Sequence, residues 1–154
     1  MSVTVSNGQA YNVSGGQTDT GDIVQNGGTL NVLSGGTIVR TQDSGIVNVS
    51  SGGNAIGTVI SNGANEVVSS GGTTSGTVVD DGTLTLEGGA TANGVTLSSD
   101  GGLAIGAGYT LTDYVISAGF LWVHSGGNAI GTVISNGANE VVSSGGTTSG
   151  TVVD

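Results

Sequence analysis

Residues 51–80 read SGGNAIGTVISNGANEVVSSGGTTSGTVVD, and the same string returns unchanged as residues 125–154. Inside that 74-residue offset lies a shorter period of roughly 18 to 19 residues, visible when units open at Asn7, Asn26, Gly45, Gly63, Gly82, Gly102, Gly119 and Gly137. A fixed short period is the mark of a stacked architecture, in which one unit cannot bury its apolar face alone and neighbouring units do it together. Each unit reads as strand, Gly-Gly turn, strand, turn. An apolar residue stands three places before the glycine pair (Val32, Val49, Val68, Val123, Val142), with another two places earlier (Leu30, Val47, Leu121). Spacing of two is the β period, and the intervening Asn31 and Asn48 mark a wet outer face. The second strand is short and β-branched, as in Gly57-Thr58-Val59-Ile60 and Gly76-Thr77-Val78-Val79.

These features specify an all-β chain: a right-handed parallel β-helix or closely related β-solenoid of about eight 18–19-residue rungs. Stacked at ~4.8 Å, the rungs would form a rod on the order of 40 Å long. Residues 1–154 form a single repeat array. The array is expected to be a fragment of a longer surface protein that continues past Asp154, since the pattern stops partway through a unit.

Composition narrows the function. The chain has 32 Gly, no Pro and no Cys, and only 8% of its residues are charged, where about 25% is usual. Hydrophobic residues still make up 35% and recur at fixed intervals, which argues for a core rather than a disordered linker. Eleven carboxylates face Arg40 as the sole Arg or Lys, giving a net charge of −10. Such a chain repels phosphate backbones and anionic lipid, so neither a nucleic-acid partner nor membrane insertion by this segment is expected. The N-terminus, Met1-Ser2-Val3-Thr4-Val5, has neither the basic nor the apolar region of a signal peptide.

The string Val67-Val68-Ser69-Ser70-Gly71-Gly72-Thr73, followed by Thr77-Val78-Val79, resembles the strand-loop-strand repeats of AIDA-type autotransporter adhesins. The resemblance covers nearly the whole chain. It implies a surface-exposed or secreted Gram-negative passenger whose β-helical stalk takes part in adhesion, self-association and biofilm formation. It also implies O-glycosylation of repeat serines by a bacterial glycosyltransferase. Ser14, Ser34, Ser50, Ser51, Ser69, Ser70, Ser125, Ser143 and Ser144 occupy the matching place beside the glycine pairs. A second reading makes them turn residues whose hydroxyls satisfy local backbone groups. Partners under the resemblance are like copies of the chain and a host-cell surface or glycan.

Other candidates divide between chemistry and structure. Asp81 and Asp100 each precede a repeat-opening glycine, and stacking would set one above the other beside Asp80. They read either as a carboxylate pair for a polysaccharide-cleaving β-helix or as acidic turn residues that tolerate left-handed backbone. The absence of Lys and the distance of Arg40 weaken catalysis, and the Gly/Asp nonapeptide of calcium-binding solenoids does not occur, so no catalytic group, metal or cofactor is expected. Glu66 and Glu140 sit five places before a glycine pair, where other units are apolar. Pointing inward, each would need a partner or a raised pKa; they are expected instead where the strand begins, at the rim, with their carboxylates in solvent. Phe120, Trp122 and His124 alternate with Leu121 and Val123, which turns the three outward. They read either as a surface for sugars or another copy, or as an aromatic contact with the next rung or an overlying loop. His124 alone is no metal site.

Overall fold

The computed structural model describes residues 1–98 and 100–154, and among them every strand pairing is parallel between successive turns of one solenoid. Each rung has three strands rather than the two expected. Rung 1 runs through Thr4–Val5, Ala10–Val13 and Thr18–Thr20. Rung 8 runs through Val133–Ile134, Asn139–Val142 and Thr147–Ser149, and Val152–Val153 begins a ninth. The four-residue strands form a broad face, the two-residue strands a narrow face, and the three-residue strands a third face. That third face escaped the sequence reading because its strands, such as Asn54–Ile56 and Thr73–Ser75, turn only one small side chain inward. Three residues are too short to display a period.

The register explains the repeat length. Partners on the broad face lie 19 residues apart at Ala10↔Thr29 but 17 apart at Thr29↔Ile46. The difference is taken up at the corner after Gln42–Asp43, where Asp43 Oδ1 accepts the Gly45 N–H at 2.9 Å. The carboxylate there does the work of the backbone that a longer corner would supply. Inward columns of Leu30, Val47, Leu84, Leu103 and Leu121, and of Val13, Val32, Val49, Val68, Leu86, Ile105 and Val123, are fully buried as the alternation requires. Val142 departs from the expected burial: no rung covers it in this chain, and it is 41% exposed.

Glu66 corrects a second expectation. It does not reach solvent at the rim; it lies in the leucine column, paired Glu66↔Val47 and Glu66↔Leu84, with 0% exposure. The strand begins one residue earlier, at Asn65, so the period-2 alternation carries the glutamate inward. Glu140 takes the same place in rung 8, where Thr148, Thr151 and Thr132 donate hydroxyls to it at 2.9, 3.1 and 3.4 Å. It is half-buried there.

The stack is continuous only on the broad face, where eight strands follow one another without a break. The third face splits between Thr91–Asn93 and Thr110–Thr112, and the narrow face between Thr96–Leu97 and Val115–Ile116. Two tyrosines account for this seam. In most rungs a glycine closes this corner and faces the preceding rung so closely that a Cβ on Gly72 or Gly127 would lie 2.7 Å from the carbonyl oxygen of Val49 or Ile105; rung 5 closes with the small Ala90 and keeps its ladder, Thr73↔Thr91. Rung 6 has Tyr109 at that position. At the next corner Tyr114 occupies the column that holds Thr41, Thr58, Thr77 and Thr132 in other rungs, and its hydroxyl donates to the Val95 carbonyl at 3.3 Å. Side chains of this size hold the rungs apart, leaving cavities of about 230 and 200 Å³, both lined by Val95 and Tyr114.

Two outcomes follow for stability. Replacing Gly72 by Ala forces a rung shift and lowers unfolding free energy by about 2–3 kcal/mol in chemical denaturation. The pair Tyr109→Gly and Tyr114→Thr lets the ladders close and raises the thermal midpoint by roughly 3–8 °C in circular dichroism, corresponding to ~1 kcal/mol.

Candidate functional site

The corner between the broad and third faces carries the candidate serines. It is a four-residue turn closed by hydrogen bonds from the fourth N–H to the first carbonyl: Gly53 to Ser50, Gly72 to Ser69 and Gly146 to Ser143, each 2.9 Å. Its third residue needs positive φ, as at Gly71 (78°), which fixes a type II turn; that residue is the first glycine of the pair at 71–72 and the second at 88–89, where Gly89 has φ 86°. The second residue projects from the corner. Ser34, Ser51 and Ser70 hold this position in consecutive rungs, as do Ser125 and Ser144 farther along, and all five are exposed. Ser34, Ser51, Ser70 and Ser125 each pack under the glycine of the next rung: a Cβ on Gly71 or Gly145 would come within 2.6 Å of Ser51 Oγ or Ser125 Oγ.

Ser14, Ser50, Ser69 and Ser143 form a second row, one residue earlier. Ser69 and Ser143 are exposed, and Ser14 and Ser50 are half-buried. Among the described residues none of these nine hydroxyls makes a hydrogen bond; the corner is held by its backbone, with Gln17 Oε1 also accepting the Ser14 N–H at 3.0 Å in rung 1. The result is a ladder of uncommitted hydroxyls at rung spacing on one edge of the rod.

The aromatic candidates lie on the broad face. Phe120 and Trp122 project outward from the strand Phe120–Val123 and stack with ring centroids 5.5 Å apart and planes within 3°. Trp122 leans onto the preceding rung, where its ring takes the space that any side chain at Gly102 would fill. Register places Ala104 directly beside Trp122, and all four residues of Gly102–Ile105 are buried. The pair therefore makes the contact with an adjoining rung that the sequence allowed, while each ring stays half-exposed. His124 stands exposed at the corner beside Ser125. Next to it, the outward Val141 of rung 8 is 44% exposed and extends the apolar strip.

The acidic candidates are turn residues in geometry. Thr83↔Gly102 pairing aligns Asp81 with Asp100, and Asp80, Asp81 and Asp100 are all exposed. Asp81 adopts φ 58°, matching Asn62 (55°) and Asn136 (52°) at the same corner.

What the sequence reading missed is an interior set of polar groups in rungs 1 to 4. Asp19, Asp22, Asp43, Glu66, Thr41, Thr58 and Thr74 are all buried. Asp22 accepts the Val3 N–H at 2.9 Å, yet burial still pushes its carboxyl above the ordinary range. Asp19 pairs with the N-terminal amine at 3.3 Å. A signal was present: Glu66 and Glu140 each have Thr eight residues before and eight and eleven after.

Since Trp122 is the sole tryptophan, Gly102→Ala reports directly on the aromatic packing. The added methyl displaces the ring, shifts fluorescence emission to the red and costs about 1–3 kcal/mol of stability. Unchanged emission would mean that the ring does not rest there.

No family model and no curated protein matches the chain. Among solved structures it is similar to the crystal structure of a TibC-catalyzed hyper-glycosylated TibA55-350 fragment. Identity is 20% and the TM-score 0.49, with 99% of this chain and 89% of that chain covered.

Proposed function

We propose that this chain is a non-catalytic stalk segment of a bacterial surface-exposed adhesin of the AIDA autotransporter type, and that it associates laterally with like copies. The observation that carries the reading is the unbroken broad face. Eight parallel strands present a flat outer surface on which Asn12, Asn31 and Asn48 hydrogen-bond in a ladder at 2.9 and 3.0 Å. A repeated flat surface suits many weak contacts that sum through effective concentration. The candidate acidic column is exposed turn structure, which supports mechanical rather than chemical work. The serine ladder on the neighbouring corner supplies accessible, uncommitted hydroxyls, which supports repeat serines as acceptors for a glycosyltransferase.

A second reading is favoured by one observation, the half-exposed Phe120–Trp122 stack. Aromatic faces of this kind bind the apolar faces of sugar rings, so the broad face would serve as a module for extracellular polysaccharide or a host glycan.

Beads coated with the purified chain separate the two. Self-association is expected to clump them in moderate salt, without added cells or glycan; monodisperse beads would leave a passive stalk. Glycan titration that quenches Trp122 fluorescence while beads stay dispersed would favour the second reading. Intact mass of the chain isolated from its native host is expected to show hexose- or heptose-sized increments lost on substitution of Ser34, Ser51 and Ser70, and an unmodified mass would remove the acceptor role.

A further inference from the structure

The interior of rungs 3 and 4 contains polar oxygens for which the fold supplies no partner. Asp43 faces inward from the narrow face and Glu66 from the broad face, both at 0% exposure. Asp43 Oδ1 is occupied by the Gly45 N–H, but Asp43 Oδ2, both Glu66 carboxyl oxygens and the hydroxyls of Thr41 and Thr58 have no hydrogen-bond partner. Thr58 and Thr74 stand beside the Glu66 carboxyl and favour its charged form, but not at hydrogen-bonding geometry; Thr74 is instead bonded to Thr77 at 2.6 Å.

No cation balances the pair. The one ion pair among the described residues is between the N-terminal amine and Asp19, and Arg40 is exposed. Glu66 is the one charged group acting on Asp43, and the inward residues Val24, Ile60, Val47, Ile38 and Ala55 are apolar; a further buried carboxyl, Asp22, lies opposite Thr41 in the rung before, with its Oδ1 on the Val3 N–H. Two buried carboxylates without a counter-charge cannot both stay ionised, whereas a neutral carboxyl brings an O–H that can donate to Thr58 or Thr41.

We propose that Asp43 and Glu66, with the hydroxyls of Thr41 and Thr58, form a buried proton-holding node that tightens rungs 3 and 4 in mild acid and loosens them above neutral pH. Burial is the main cause, raising Asp43 to about 7 and Glu66 in the same direction. A carboxyl whose folded-state proton affinity exceeds its unfolded one adds stability that is complete below the unfolded range. That stability is lost as pH rises through the folded value. For Asp43 the window therefore runs from 3.8 to about 7. Rungs 5 to 7 line the same core with Val79, Leu84, Leu86, Leu103, Ile105, Ile116, Leu121 and Val123, so the response is confined to one stretch of the rod.

Hydrogen exchange with mass spectrometry tests this on the whole chain. After correction for intrinsic rates, peptides covering 41–75 are expected to exchange on the order of ten-fold faster near pH 8 than near pH 5, while those covering 103–130 change by less than about two-fold. D43N retains an oxygen for the Gly45 N–H, and D43N with E66Q is expected to flatten the pH response. Should those variants fail to fold, carboxyl ¹³C titration of the unaltered chain gives the answer, with Asp43 ionising near neutrality. An equal response in both regions, a pH response that survives in D43N/E66Q, or an Asp43 titration at the ordinary carboxylate value would each overturn the proposal. So would tightening of 41–75 by Ca²⁺ or Na⁺ near pH 8, which would make the ligand a metal cation instead of a proton.

Discussion

Hydrogen bonding between successive rungs holds neighbouring strands at about 4.8 Å, and the rest of the structure accommodates that spacing. It leaves little room at the closing position of the broad-to-third corner, where Gly72 and Gly127 sit under the carbonyl of the rung before and rung 5 has nothing larger than Ala90. The third residue of the corner serves another need, the positive φ of a type II turn, met by Gly71 and by Gly89. The doublet at 71–72 therefore satisfies two constraints, one inside the rung and one between rungs. Where a large side chain stands at the closing position, at Tyr109, the third-face ladder breaks, whereas Ala90 in rung 5 leaves it intact.

The same spacing organises the interior into columns, so the chemistry of a rung is judged by what lies above and below it. Rungs 5 to 7 fill their core mainly with apolar side chains, apart from buried Thr77 and the cavities at the tyrosine seam. In rungs 1 to 4 carboxylates and threonines interrupt the apolar columns, and the small cross-section offers few partners. Glu140 shows how such a group can be satisfied, by three threonine hydroxyls, whereas Glu66, its sequence twin, has none in bonding geometry. Identical strings thus acquire different environments because their neighbouring rungs differ: Glu66 is followed by Leu84, and Glu140 is not covered.

The outer surface divides into a flat broad face and a serine-bearing corner. The aromatic pair is built into that face more than laid on it, because Trp122 occupies the space that Gly102 vacates. Glycine here has a third use, as a socket for a ring from the next rung. The rod thus combines a continuous face, a hydroxyl-lined edge and a partly embedded aromatic strip.

Local periodicity was enough to establish the parallel stacked architecture, the rung length, the inward valines and leucines, and the outward direction of Phe120 and Trp122. Each of these depends on residues within one strand or one turn. The corner serines were equally legible, because the Gly-Gly turn fixes their place. Three-sidedness was not, since strands of three residues carry no period, and neither was the burial of Glu66, which hung on whether the strand began at Asn65 or one residue later. The seam at Tyr109 and Tyr114, the ring of Trp122 over Gly102 and the unpartnered Asp43–Glu66 interior depend on residues of different rungs or faces meeting. Only the registered stack decides which side chains meet there, because the contact is made across rungs and the space for it is set by backbone hydrogen bonds.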